Sequence, residues 1–136
     1  ELSVKSSEKL NSKNILCNKA KILQASVSDM PFDDNTFDNI TAVETYYFWP
    51  DKENDVKEVF RVLKQGGTVM LLFEMLRTDD PFKWEKVENM LNIKSVTPQE
   101  IRAVLESAGF ENINTYTKEG TTWLCATAQK PKDDEN

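Results

Sequence analysis

The sequence predicts a single-domain α/β fold with a helix-covered sheet, and three observations carry that prediction. Thr68–Phe73 is apolar without alternation, the pattern of a strand buried on both faces. Just before it, Val56, Val59, Phe60 and Leu63 recur at i, i+3, i+4 and i+7, one stripe of an amphipathic helix. Phe37–Val43 precedes that helix as a short apolar strand, so residues 37–73 read as a strand-helix-strand unit. The strand ends of such units are where open parallel sheets bind ligands.

Taken in order, residues 1–18 carry Leu2, Val4, Leu10, Ile15 and Leu16 among Lys and Glu and are expected to form a helix. No cap precedes it, from which the chain is expected to lack its original beginning. Lys21–Val27 is short and partly apolar and reads as a buried strand. Ser28–Thr36, with Pro31, Asp33, Asp34 and Asn35, is a loop. The helix over residues 52–63 has Asp51 and Glu53 at its positive end and Arg61 and Lys64 at its negative end. Gly66 and Gly67 are expected to stop it. Arg77–Ser95 reads as an irregular or short-helix excursion. Thr97-Pro98-Gln99-Glu100 is a capping box with Pro in the first turn, opening a helix that presents Ile101, Val104, Leu105 and Ala108 and stops at Gly109. Asn112–Thr117 and Thr121–Gln129 then read as an antiparallel hairpin around Gly120. The domain is expected to span residues 1–129, and residues 130–136 to be a disordered charged tail.

Composition removes several classes of function. A net charge of −6 with no Lys/Arg cluster leaves no electrostatic footprint for nucleic acid. No apolar run approaches the roughly 20 residues of a membrane span and no secretory pattern opens the chain, so a soluble cytoplasmic protein is expected. Cys17 and Cys125 lie far apart and read as small apolar side chains. Histidine is absent, which excludes Ser-His-Asp and Cys-His triads and the usual zinc sets, so metal is not expected. Chemistry must come from carboxylates, hydroxyls or a cofactor with its own reactivity.

Met30-Pro31-Phe32, Phe37-Asp38 and Arg61-Val62-Leu63-Lys64-Gln65-Gly66-Gly67 occur in the order and spacing of a known pattern. Together with the Ala108-Gly109-Phe110 helix end and the closing hairpin, the chain resembles the class I S-adenosylmethionine-dependent methyltransferases of the small-molecule, type 11-like kind. Gln65 stands where the pattern has proline. The resemblance implies a Rossmann-like three-layer sandwich, mostly parallel with a C-terminal antiparallel hairpin. It also implies S-adenosyl-L-methionine as cofactor and a small-molecule methyl acceptor. The family's glycine-rich loop is missing: the four glycines are Gly66, Gly67, Gly109 and Gly120, and no G-x-G-x-G occurs. The sandwich is therefore expected to be incomplete, without its first two strands.

By the same resemblance, Ser26 and Val27 stand where the adenine is held, with Asp29 beside them, and Glu44 and Thr45 follow the next strand as cofactor contacts. Tyr46, Tyr47 and Trp49, with Phe48, form an aromatic run that is either an acceptor wall or a packed lid. Glu74 ends the following strand and is a candidate general base on the substrate side. Phe82 and Trp84 either cap the pocket or pack as satellites.

In the family's strand order, 3-2-1-4-5-7-6, loss of strands one and two opens a gap of roughly 14 Å at about 4.8 Å per strand step. Three resolutions follow: strand three moves beside strand four, a second copy or separate polypeptide fills the gap, or the N-terminal third is unfolded. A homodimer or an upstream segment completing the sheet is thus the expected partner. Two functions remain open, methyl transfer to a small molecule by a partial domain, or a non-catalytic remnant that binds no cofactor.

Overall fold

The computed structural model describes residues 2–80 and 82–132, and the tail expected over 130–136 falls outside this range from residue 133. Its elements are α1 (Leu2–Leu10), α2 (Ser12–Leu16), β1 (Phe37–Val43), a 3-10 turn (Tyr46–Phe48), α3 (Lys52–Val62), β2 (Leu63–Phe73), α4 (Glu85–Leu91), α5 (Pro98–Ser107), β3 (Glu111–Thr117) and β4 (Leu124–Gln129). The four strands form one sheet in the order β1-β2-β4-β3. β1 and β2 are parallel, and β4 is antiparallel to both β2 and β3. The expected α/β sandwich is present in its incomplete form. With only four strands its one parallel pairing is outnumbered by two antiparallel ones.

α3 and α5 cover one face of the sheet. Val56, Val59, Ile101 and Leu105 pack there against Val69, Leu71, Ala126 and Ala128, all nearly inaccessible. Each Val, Leu or Ile among them contributes on the order of 2 kcal/mol by leaving water. The capping box of α5 is formed as the sequence predicts, with Thr97 and Glu100 bonded reciprocally. Gly109 closes that helix at φ +96°. The alternate residues Thr41, Val43, Met70, Leu72, Cys125 and Tyr116 lie on the opposite face, half-buried or exposed.

The N-terminal region departs from expectation. One helix over residues 1–18 becomes two, divided at Asn11, and neither buries a residue, with Leu2, Leu10 and Leu16 more than four-fifths exposed. Lys21–Val27 does not form a strand. Its only pairing is an isolated bridge from Ser26 to Asp29. A strand's hydrogen bonds are made with neighbours, and among the described residues no strand pairs with this segment.

The glycine pair also has a different role. α3 ends at Val62, Leu63 is already extended at ψ 136°, and both glycines lie inside β2. Between the pairs Phe37–Leu63 and Asn39–Thr68, β2 runs through five residues while β1 runs through two, so Lys64–Gly67 bulges out. A Cβ on Gly67 would sit 2.9 Å from the Asp38 carbonyl oxygen, which only glycine avoids. Further on, the hairpin's second strand starts at Leu124 rather than Thr121.

Two cations fasten the C-terminal end of α3. Lys130, placed by sequence in the tail, is 6% exposed. Its ammonium donates to the Asn35 side-chain oxygen at 2.9 Å and to the Phe60 and Leu63 carbonyls at 2.8 and 2.9 Å, and lies 4.6 Å from the Phe60 ring centre. It therefore satisfies carbonyls that a helix C-terminus leaves unbonded. Arg61 donates to Glu58 at 2.8 and 2.7 Å, to Asp34 at 2.7 Å, and to the Phe32 and Met30 carbonyls at 2.8 and 3.2 Å. Glu58 in turn accepts from the Met30 amide at 2.9 Å. The pair clamps the loop before β1 onto α3.

Lys130→Met removes the cation and leaves buried carbonyls unbonded, so chemical denaturation should show a loss of about 2 kcal/mol or more. Hydrogen bonds from Arg61 hold the Glu58 carboxyl down at about 2, against an ordinary 4.5. A depressed folded-state value means stability that is present above pH 4.5 and is lost as pH falls from there toward 2. Melting temperature measured across that window should fall less steeply in Glu58→Gln than in the parent.

Candidate cofactor and acceptor site

The C-terminal ends of β1 and β2 lie side by side, and the Glu44 amide donates to the Leu72 carbonyl at 3.0 Å. Glu44 adopts a left-handed conformation, φ +55°, which swings the chain out of β1 into the aromatic turn. Three of the four aromatics then go inward. Tyr46 and Tyr47 are each 5% exposed and Trp49 9%, while Phe48 faces solvent. Tyr46 meets Trp49 at 5.2 Å between ring centres, and Phe73 sits edge-on to Tyr46 and Tyr47 at 5.5 and 5.8 Å. The Tyr47 hydroxyl accepts from the Met75 amide at 2.8 Å, joining the aromatic turn to the chain just past Glu74.

A cavity of about 430 Å³ opens between this turn, the inner face of β1 and the 21–32 segment. Of the residues singled out by sequence, it brings together Ser26, Val27, Thr45 and Trp49. Apart from Lys21 and Thr41 its remaining wall is apolar, and includes Ile40, Ala42, Val59, Val69 and Leu71. Those five had a legible signal in the alternation of β1 and the stripe of α3, but each is also an ordinary core residue. Tyr46 and Tyr47 are not among the lining residues. They pack in the core behind Trp49, the packed-lid alternative.

Glu44 and Glu74 face each other at the sheet edge. Burial pushes the Glu44 carboxyl up from the ordinary value, the Glu74 backbone amide works against this, and the Glu74 charge adds to it. Burial also drives the Tyr46 and Tyr47 phenols up to about 12, so both stay protonated at neutral pH. A carboxyl raised in this way is a better proton acceptor near neutrality than an ordinary one. Trp84 donates its indole N–H to the Leu76 carbonyl at 2.9 Å and packs against the core, and Phe82 is exposed. Neither lines the cavity. Asp55 carried no sequence signal for a special role. It is fully buried, accepts from the Asp51 amide at 3.0 Å, and has no hydrogen-bond partner for Oδ1 among the described residues.

The residues present fit S-adenosylmethionine at one end only. The apolar walls, the Ser26 hydroxyl and the Val27 backbone suit a flat heterocycle. The cavity has no glycine cradle and no carboxylate among its lining residues for the ribose hydroxyls. Among the described residues no group of three or more metal-ligating side chains is assembled. No helix among them is long and apolar enough to cross a membrane.

Comparison with known proteins places this geometry. Residues 1–71 match the model of a methyltransferase domain family. An uncharacterized methyltransferase, YdaC of Bacillus subtilis, is 29% identical over 90% of this chain. A ubiquinone/menaquinone biosynthesis C-methyltransferase of Cronobacter sakazakii is 32% identical over 83% of it. The chain spans 64% and 54% of the length of those two relatives. Among solved structures, a putative sarcosine dimethylglycine methyltransferase from Galdieria sulphuraria superposes with a TM-score of 0.81 over 96% of this chain and 66% of its own, at 16% identity. The [4+2]-cyclase SpnF gives the same score over 97% of this chain and 63% of its own, also at 16% identity. The fold, the order of its motifs and the family match agree, and the chain belongs to the class I S-adenosylmethionine-dependent methyltransferase family.

Proposed function

We propose that the protein serves in S-adenosylmethionine-dependent methyl transfer to a small-molecule acceptor, this chain supplying the adenine side and the acceptor side of the site. The observation that carries the reading is a cavity flanking β1 and its C-terminal end that gathers Ser26, Val27, Thr45 and Trp49. Its Thr45 and Trp49 side lies at the strand ends where open α/β sheets bind ligands. The relatives' names support a small acceptor, since they act in quinone biosynthesis and, for a 28% identical protein of Halorhodospira halochloris, on sarcosine and dimethylglycine.

When bound, the cofactor supplies an activated methyl group, so the protein's part is alignment and proton handling. Trp49 and the apolar wall exclude water from one side of the cavity. Glu44 directly precedes the cavity-lining Thr45 and, with its carboxyl raised by burial and by Glu74, is the candidate to take the acceptor's proton. Tyr47 remains a neutral hydroxyl and keeps the chain beyond Glu74 in place through the Met75 amide. A second reading, a non-catalytic methyltransferase-like module, is favoured by one observation: the chain holds no glycine-rich loop.

Calorimetric titration with S-adenosylhomocysteine separates the two. Heat of binding is expected, with affinity falling about tenfold or more in Val27→Trp, where the indole fills the cavity. Absence of heat at millimolar ligand selects the non-catalytic module. The raised Glu44 value has its own signature. The folded protein holds that proton more tightly than the unfolded chain, so the carboxyl costs stability as pH rises past 4.5, and the cost persists at neutral pH. Glu44→Gln should therefore melt about 1–3 °C higher than the parent at pH 7 and no higher at pH 4.

A further inference from the structure

Residues 76–96 close on themselves before the chain enters α5. Val96 donates to the Met75 carbonyl at 3.0 Å and accepts from the Arg77 amide at 2.8 Å, a parallel bridge that joins the two ends of the excursion. Within it lies a recess of about 340 Å³ whose walls all come from residues 77–95. That volume is in the range of small-molecule sites. The recess shares no lining residue with the cavity beside β1.

Its floor is fixed by the fold. Ser95 is 4% exposed, its amide donates to the Glu88 carboxylate at 2.7 Å, and its carbonyl accepts from Arg77 at 2.6 Å. Arg77 also bonds Glu100 at 3.0 Å, so its charge is met within the protein. Hydrogen bonds from Ser95, with the charges of Lys94 and Arg77 adding, hold the Glu88 carboxyl below its ordinary value. Trp84 forms a wall, and its N–H bond to the Leu76 carbonyl sets the direction of the ring. Two lining charges are left over. Asp80 is oriented by the Phe82 amide, 2.9 Å from one of its oxygens, and among the described residues neither Asp80 nor Lys94 has an ion-pair partner.

We propose that this recess binds a small zwitterion of the α-amino-acid type, its carboxylate on Lys94, its ammonium on Asp80 and its apolar side chain against the Trp84 ring. Two opposite charges in one recess favour a ligand that carries both. A simple carboxylate meets Lys94 but is repelled by Asp80, and a simple amine meets Asp80 but is repelled by Lys94. Because the floor is already bonded, binding orders little beyond the two charged side chains at the rim. The site is independent of the methyl-transfer reading.

NMR of the nitrogen-15 labelled indole N–H groups reads the site directly, since the chain has three tryptophans and Trp84→Phe identifies one signal. L-leucine should move the Trp84 signal saturably in the millimolar range. N-acetyl-L-leucine, which lacks the cation, and L-leucinamide, which lacks the carboxylate, should each bind about tenfold or more weakly. Lys94→Gln should weaken L-leucine by the same factor without weakening L-leucinamide. Asp80→Asn should weaken L-leucine without weakening N-acetyl-L-leucine. Both residues are exposed and neither substitution touches the floor, so each variant should melt with the parent. No movement of the Trp84 signal at tens of millimolar L-leucine overturns the proposal. Equal binding of the three compounds overturns it too, as does a shift confined to Trp49, which puts the ligand in the cavity beside β1.

Discussion

A buried ammonium at the C-terminal end of α3 is the constraint on which the rest of the fold is hung. α3 passes into β2 with no loop between them, so the helix's last carbonyls have neither the next turn nor water to bond. Lys130 answers this from the far end of the chain, bonding the Phe60 and Leu63 carbonyls while its ammonium lies over the Phe60 ring. Because Lys130 directly follows β4, the bond fixes where the last strand finishes against β2. Its third bond, to Asn35, reaches the loop that enters β1. One cation thereby ties together the first strand, the helix and the last strand of the sheet.

Much of this was legible from sequence where the determinants are local. The α5 capping box, the stripe of α3 and the unbroken apolar run of β2 each specify their element through neighbours within a few residues. What was not legible depends on contacts distant in sequence. Lys130 sits in a run of charged residues, and only the fold brings carbonyls 70 residues away to it. Gly66 and Gly67 were read as a helix stop because glycine permits both a cap and a close backbone approach, and composition does not distinguish the two. The strand expected at Lys21–Val27 fails for a similar reason. Its apolar residues allow a strand, but a parallel strand exists only with a neighbour to bond.

The site divides along the same line. Sequence placed Glu44, Thr45 and Glu74 at strand ends, and the ends are where they lie. It could not sort the four aromatics, since consecutive positions turn through a 3-10 geometry whose facing is set by Phe73 at the end of β2 and Met75 just past it. The result is a rigid block in which Tyr46 and Tyr47 are structural and Trp49 alone of the three buried rings reaches the cavity.

The opposite wall of that cavity is held by other means. Ser26 and Val27 belong to a segment with no sheet of its own, and its firm attachment to the core comes a few residues later. There Glu58 takes the Met30 amide, and Arg61 takes the Met30 and Phe32 carbonyls. Both charged residues are on the C-terminal half of α3, the same end that Lys130 fastens. The wall that would meet an adenine is thus positioned through α3 rather than through the sheet. The cavity's two sides rest on different supports, aromatic packing for the acceptor side and an ion-paired clamp for the other. Protonating Glu58 therefore loosens the Ser26–Val27 side first and leaves the aromatic block in place.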